Sequence, residues 1–238
     1  PILTLLIAFA AGAVAGTLTG LIHVQLKVRD LVSGIIMMTA LYTVNLRIAG
    51  RANLPIYNMT TLFDNDLVRS VFQGALAQFA NVIIILVITL IMKFLLDWYM
   101  NTKSGYLLRA VGDNETIVTS MGVDKGTIKI IGLAIANGLV SLSGCIFAQQ
   151  QRYFDVSMGT GTMVIGLASV IIGISLLKKV TFLRVTTSVI IGSIVYKACV
   201  AIAIKLGMPS SDLKLITAVL FLIILVLGMD RKKRKKVA

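Results

Sequence analysis

The chain has 238 residues, of which 57% are hydrophobic and 14% charged, and its formal net charge is +13. A mean hydropathy of +0.93 lies outside the range of water-soluble domains, whose charged fraction runs near about 25%. This composition excludes an ordinary soluble enzyme and points to a polytopic membrane protein, each span needing roughly 20 apolar residues to cross a ~30 Å hydrocarbon layer.

The sequence opens on "PILTLLIAFA", with neither an initiator Met nor a charged flank. A signal peptide would show a basic start and a short apolar core, so one or two further spans are expected upstream. The first span, 1–22, contains "AFAAGAVAGTLTG", which sets Gly12, Gly16 and Gly20 four apart on one helix face. Small residues at that interval let helix backbones approach closely, either within the chain or between two copies. The second span, 31–47, contains Asn45 and is short, about 24 Å at the helical rise. It is expected to stand upright, to be broken or to cross only in part. Loop 48–80 carries "NLPIYN" and "DNDLVRSVFQ", a turn and a short surface helix. The third span is 81–98.

A polar island, "GDNETIVTSMGVDKG", follows at 112–126 and holds Glu115, the sole glutamate, with Asp113 and Asp124. Asp113 is a predicted N-cap and Gly122 a predicted stop for a helix over 114–121. That helix starts at Asn114 and sets Ile117, Val118 and Met121 on one apolar side. It is too short to span a membrane or to be stable alone. Such an element is either a docking handle for another protein or a structured loop. Asp124 is placed to cap the span after it.

The fourth span, 128–149, contains Asn137 and Ser141; these, like Asn45, either line a polar path or make ordinary interhelical hydrogen bonds. The fifth, 163–177, is again short. The sixth, 185–206, holds Lys197, thirteen residues beyond Arg184 and so roughly 20 Å deep. A lysine there costs about 2.5 kcal/mol or more unless it reaches water, a carbonyl or a counter-charge. It serves structure, snorkels or faces a water-filled path. Cys145 and Cys199 fall in apolar spans and form neither a disulfide framework nor a zinc spacing, which leaves packing as their role. A seventh span, 213–229, precedes the basic tail Arg231 to Lys236.

Runs this long must satisfy their own backbone hydrogen bonds in lipid, so they are helices. The fold class is an all-α polytopic bundle with short or broken spans, one domain over 1–238. Basic residues orient it. With the tail inside, Lys178, Lys179, Arg184, Lys103, Arg109, Lys125, Lys129, Lys27 and Arg29 fall inside too, fifteen positive charges against Arg51, Arg69 and Arg152 outside. The excess is explained by attraction to anionic lipid, without nucleic acid.

Nothing in the chain resembles an engine. It has no G-x-x-x-x-G-K-[ST] phosphate loop, no metal-ligand spacing, and a single histidine, His23, with no evident partner for a catalytic set. A membrane-embedded enzyme would need converging catalytic groups at one depth. None are apparent.

"RAVGDNETIVTSMGVDKGTIK", followed by "IGLAIANGLVSLSGCIFAQQQ" and "GTGTMVIGLASVIIG", resembles the coupling-helix region of bacterial ABC importer permeases of the branched-chain amino-acid and ribose class. "GLIHVQLKVRDLVSGIIMMTALYTVNLRIAGRANLPI" is similar to the tryptophan/tyrosine-type subgroup. The likeness covers essentially the whole chain. It implies a plasma-membrane permease with a cytoplasmic C-terminus, working by alternating access on a small solute. An amino acid, aromatic first, is the implied cargo, with a nucleoside or sugar next. The implied partners are a second permease, of this or another kind, two cytoplasmic ATPase subunits and an extracytoplasmic binding protein. ATP and Mg²⁺ would sit on the ATPase, with no cofactor on this chain. Asp113, Asn114, Glu115, Ile117, Val118, Met121 and Gly122 would then form the ATPase-coupling element. An ATP-independent channel or secondary carrier is the rival and would not need that helix.

Overall fold

A computed structural model describes residues 2–65, 78–177 and 184–205, with positions 68, 70, 72, 219 and 222. The chain divides into two compact units, 1–158 and 159–238. The first contains α1 (Ile2–Gln25), α2 (Asp30–Ala49), β1 (Asn53–Pro55), α3 (Ala80–Met100), α4 (Lys103–Asp113), α5 (Glu115–Ser120), α6 (Lys125–Gln151) and β2 (Tyr153–Asp155). The second contains α7 (Thr162–Leu177) and α8 (Val185–Lys205).

Helices α1, α2, α3, α6 and α8 are long and apolar enough to cross a membrane, and the protein is an all-α polytopic membrane protein. Five predicted spans lie within or nearly coincide with helices α1, α3, α6, α7 and α8. The span 31–47 is longer than the sequence suggested: α2 has 20 residues, about 30 Å, long enough for a full crossing. It stops at Gly50, whose φ of 73° is left-handed and whose N–H bonds to Leu46 O. Helix α7 remains short at 16 residues. The predicted span 213–229 and the basic tail lie outside the described residues but for positions 219 and 222, and the surface helix in "DNDLVRSVFQ" lies largely outside them.

In the first unit α1 and α6 pack along most of their length. A Cβ added at Gly12 would strike Asn137 O and Ser141 Cβ; at Gly16, Leu133 O and Ala134 Cα; at Gly20, Ile130 Cα. The reciprocal position is Gly138, against which the Phe9 ring lies. Helices in lipid gain little from burying apolar surface against one another, so such backbone-to-backbone contact is what holds them. In the second unit Gly192 meets Gly173 and Ser169 O in the same manner, beside a core of Ala168, Ile172 and Tyr196.

A reading of helices alone misses one feature. Strands β1 and β2 pair antiparallel, with Leu54 opposite Phe154, and join the loop after α2 to the end of α6. At the opposite end of the unit, Val24 of α1 sits against Gly126 of α6. His23 is not partnerless there: its Nδ1 lies 2.7 Å from Val28 O and 2.8 Å from Asp30 Oδ1, tying the α1–α2 turn.

Candidate functional site

The polar island folds around one short helix, α5, set between the end of α4 and the start of α6. Thr102 caps α4, its Oγ1 accepting from Gly105 N–H. Gly105 packs directly on the Tyr99 carbonyl and Met100 Cα, which turns the chain sharply out of α3. Asp113 is the last residue of α4 and not an N-cap; Asn114 takes that role, with an extended φ of −156°. Its Oδ1 accepts from Thr116 N–H at 3.0 Å and Ile117 N–H at 3.4 Å. Both residue types cap well, and the unforeseen α4 decides between them by claiming Asp113. Helix α5 therefore spans 115–120.

Its end is a Schellman turn. Gly122 has φ 75°, Gly122 N–H donates to Thr119 O and Val123 N–H to Val118 O. Asp124 then caps α6, accepting from the N–H groups of Gly126 and Thr127 and from Thr127 Oγ1. The Thr127 hydroxyl first, then these N–H groups, hold the Asp124 carboxyl below its ordinary pKa.

The predicted apolar side of α5 splits in two. Val118 is 1% exposed and packs on Val111 and Ile128 between α4 and α6. Ile117 and Met121 are 56% and 70% exposed, one turn apart on the outward side. Glu115 bridges Lys129 Nζ and Lys125 Nζ. Its hydrogen bonds to Lys129 and then Lys125 hold its pKa below the ordinary value. The helix is thus fastened by Val118 and Glu115, and presents Ile117 and Met121.

The residues proposed to line a path lie on three helices, α2, α6 and α8. Asn137 and Ser141 share the α6 face opposite Gly12, and Asn137 Nδ2 donates to Leu133 O at 2.9 Å. Asn45 is exposed on α2. Lys197, in the second unit, is exposed on α8 next to the buried Tyr196.

Further ion pairs escaped the sequence reading. Lys93 Nζ lies 3.3 Å from Oδ2 of Asp97, which is 4% exposed inside α3; the i,i+4 spacing of opposite charges was its available signal. Arg152 Nη2 lies 2.6 Å from Asp64 Oδ2. These two residues are 88 positions apart, and no local pattern foretells such a contact.

Residues 1–227 match the family described as branched-chain amino acid transport system / permease component. A tyrosine transport system permease protein of Clostridioides difficile (strain R20291) is 42% identical over 96% of this chain and 73% of its own length. An uncharacterized protein of Rickettsia prowazekii (strain Madrid E) is 28% identical over 97% of this chain and 79% of its own. The ribose import permease protein of Escherichia coli (strain K12) is 28% identical over 70% of this chain and 50% of its own. No solved structure matches.

Proposed function

This chain belongs to the branched-chain amino acid transport system permease family, and from that premise we propose that it is the membrane subunit of an ATP-driven importer whose cargo is an aromatic amino acid. The observation that carries the reading is α5. It is a helix too short to stand alone, yet capped at both ends, fastened from within, and left with Ile117 and Met121 facing outward. A separate cytoplasmic ATPase pair docks on that ridge, and its ATP-driven closure moves α5 and with it the spans, exposing the solute path alternately to each side. A second permease copy completes the path, and an extracytoplasmic binding protein delivers the solute. The C-terminus lies in the cytoplasm of a bacterial cell, and ATP and Mg²⁺ are bound by the ATPase. The tyrosine relative supports the cargo; the ribose relative makes a sugar the runner-up. Lys197, exposed on α8 in a single copy, faces the path, where its ammonium meets the solute carboxylate.

The test is Ile117→Asp with Met121→Asp in the assembled complex, with Met59→Asp as a control on an exposed position in another loop. Two apolar anchors at the centre of a contact are worth about 2 kcal/mol or more each, so the ATPase should no longer co-purify and tyrosine uptake should cease. Retention of both in the α5 variant would overturn the reading. Competition of labelled tyrosine uptake by unlabelled ribose but not by phenylalanine would move the cargo to the sugar class.

A further inference from the structure

The contacts at the two ends of α6 form one connected device. The helix runs unbroken from Lys125 to Gln151, about 40 Å. At one end Glu115 of α5 is held by Lys125 and Lys129, both on its first turns. At the other end the loop after α2 is fastened by several contacts. Arg152 pairs with Asp64, and Gln149 Oε1 accepts from Leu62 N–H at 3.0 Å. Ile56 N–H donates to Arg152 O, and Val156 N–H to Ala52 O. Gln149 is 8% exposed and Thr61 2% exposed, so this junction is packed rather than draped. Between the ends, α1 is seated against α6 at Gly12, Gly16 and Gly20, which resists bending of the helix.

We propose that α6 is the transmission strut of this subunit, fixed at one end to α5 and at the other to the 51–65 loop, so that handle and loop move as one body. The proposal rests on the reading of α5 as the ATPase handle, and adds that the far loop is driven through Arg152–Asp64 and Gln149. Coupling needs an element whose displacement both sites share. A helix clamped at each end to a distant segment supplies it without any new contact forming. Arg152 and Asp64 are positioning residues: they convert a displacement of α6 into a displacement of the loop.

The experiment uses the whole complex in proteoliposomes, measuring tyrosine uptake per ATP hydrolysed together with basal hydrolysis. Asp64→Asn and Arg152→Gln should each lower uptake per ATP by about fivefold or more, with assembly and basal hydrolysis unchanged. Arg152→Lys should retain most of the ratio. The exchanged pair Asp64→Arg with Arg152→Asp should recover it, aspartate being tolerated at the φ of 63° found at position 152. An unchanged ratio in both single variants would overturn the strut, as would variants that lose assembly or lose hydrolysis and uptake in equal measure. Ile117→Asp separates the two ideas. If it leaves the ATPase bound and uptake intact, the handle itself is wrong. If it releases the ATPase while Asp64→Asn keeps the ratio, only the strut fails.

Discussion

At the scale of single residues, the hydrogen bonds and charges of Lys129 and Lys125 lower the pKa of Glu115, and this makes the fastening of α5 sensitive to pH. The stabilisation is fully present above the ordinary value of 4.5 and is lost as pH falls through the depressed value in the folded chain. Being exposed, the bridge is also screened by salt. We predict that Glu115→Gln speeds hydrogen exchange of the Ile117–Ser120 amides about twofold to fivefold at neutral pH and low salt. The difference from wild type should shrink in 1 M salt (a Debye length of about 3 Å) and vanish at acid pH. Equal exchange rates at neutral pH and low salt would show that the bridge holds nothing. As the sole glutamate of a chain with 23 basic residues, Glu115 is conspicuous from composition alone. Its partners are not, because Lys125 and Lys129 become its neighbours only through the tight turn at Gly122 that reverses the chain between α5 and α6.

At the scale of elements, the helices were legible because lipid leaves a long apolar run no other way to pair its backbone. Their ends were less so. Two good caps, Asp113 and Asn114, stand side by side, and only the presence of α4 selects the second. The β1–β2 pairing and the Arg152–Asp64 bridge join segments about 90 to 100 residues apart, and nothing in either segment's own pattern requires the other. Likewise the assignment of Ile117, Val118 and Met121 to one side failed because α5 is wedged between α4 and α6, which draw in Val118 alone. The glycine stripe was visible, but its partner was not. The structure seats it on α6, and that placement carries a prediction. Gly16→Val must push the Leu133 carbonyl and Ala134 away, at a cost of about 1–3 kcal/mol for overpacking, and should lower the thermal midpoint of the detergent-solubilised protein. Gly34→Ala, with nothing within 4 Å of the added Cβ, should not lower it. Equal midpoints for Gly16→Val and wild type would mean that α1 and α6 do not pack this closely in the membrane.

At the scale of the whole molecule, charge and connectivity converge on one orientation. Strand pairing puts the loops after α2 and after α6 at the same end of the first unit. The contact of Val24 with Gly126 puts the α1–α2 turn and the α5–α6 turn at the other. Among the described residues the second end carries Lys27, Arg29, Lys103, Arg109, Lys125 and Lys129, whereas the first carries Arg51 and Arg152, and Arg152 is paired to Asp64. Basic loops remain on the cytoplasmic side during insertion, so we predict that the end bearing α5 faces the cytoplasm, where the proposed ATPase would be. This orientation can be read directly with cysteine labelling, once Cys145 and Cys199, both free thiols, are replaced by alanine. Met59 and Met121 are 67% and 70% exposed in the single chain, one near each end, so in cells that express the permease without its ATPase a thiol at either position is reachable without unfolding. Met59→Cys should react with a membrane-impermeant maleimide on intact cells, and Met121→Cys only after the membrane is permeabilised. The reverse pattern would invert the subunit, carry α5 to the outside, and leave no cytoplasmic ATPase able to reach Ile117 and Met121.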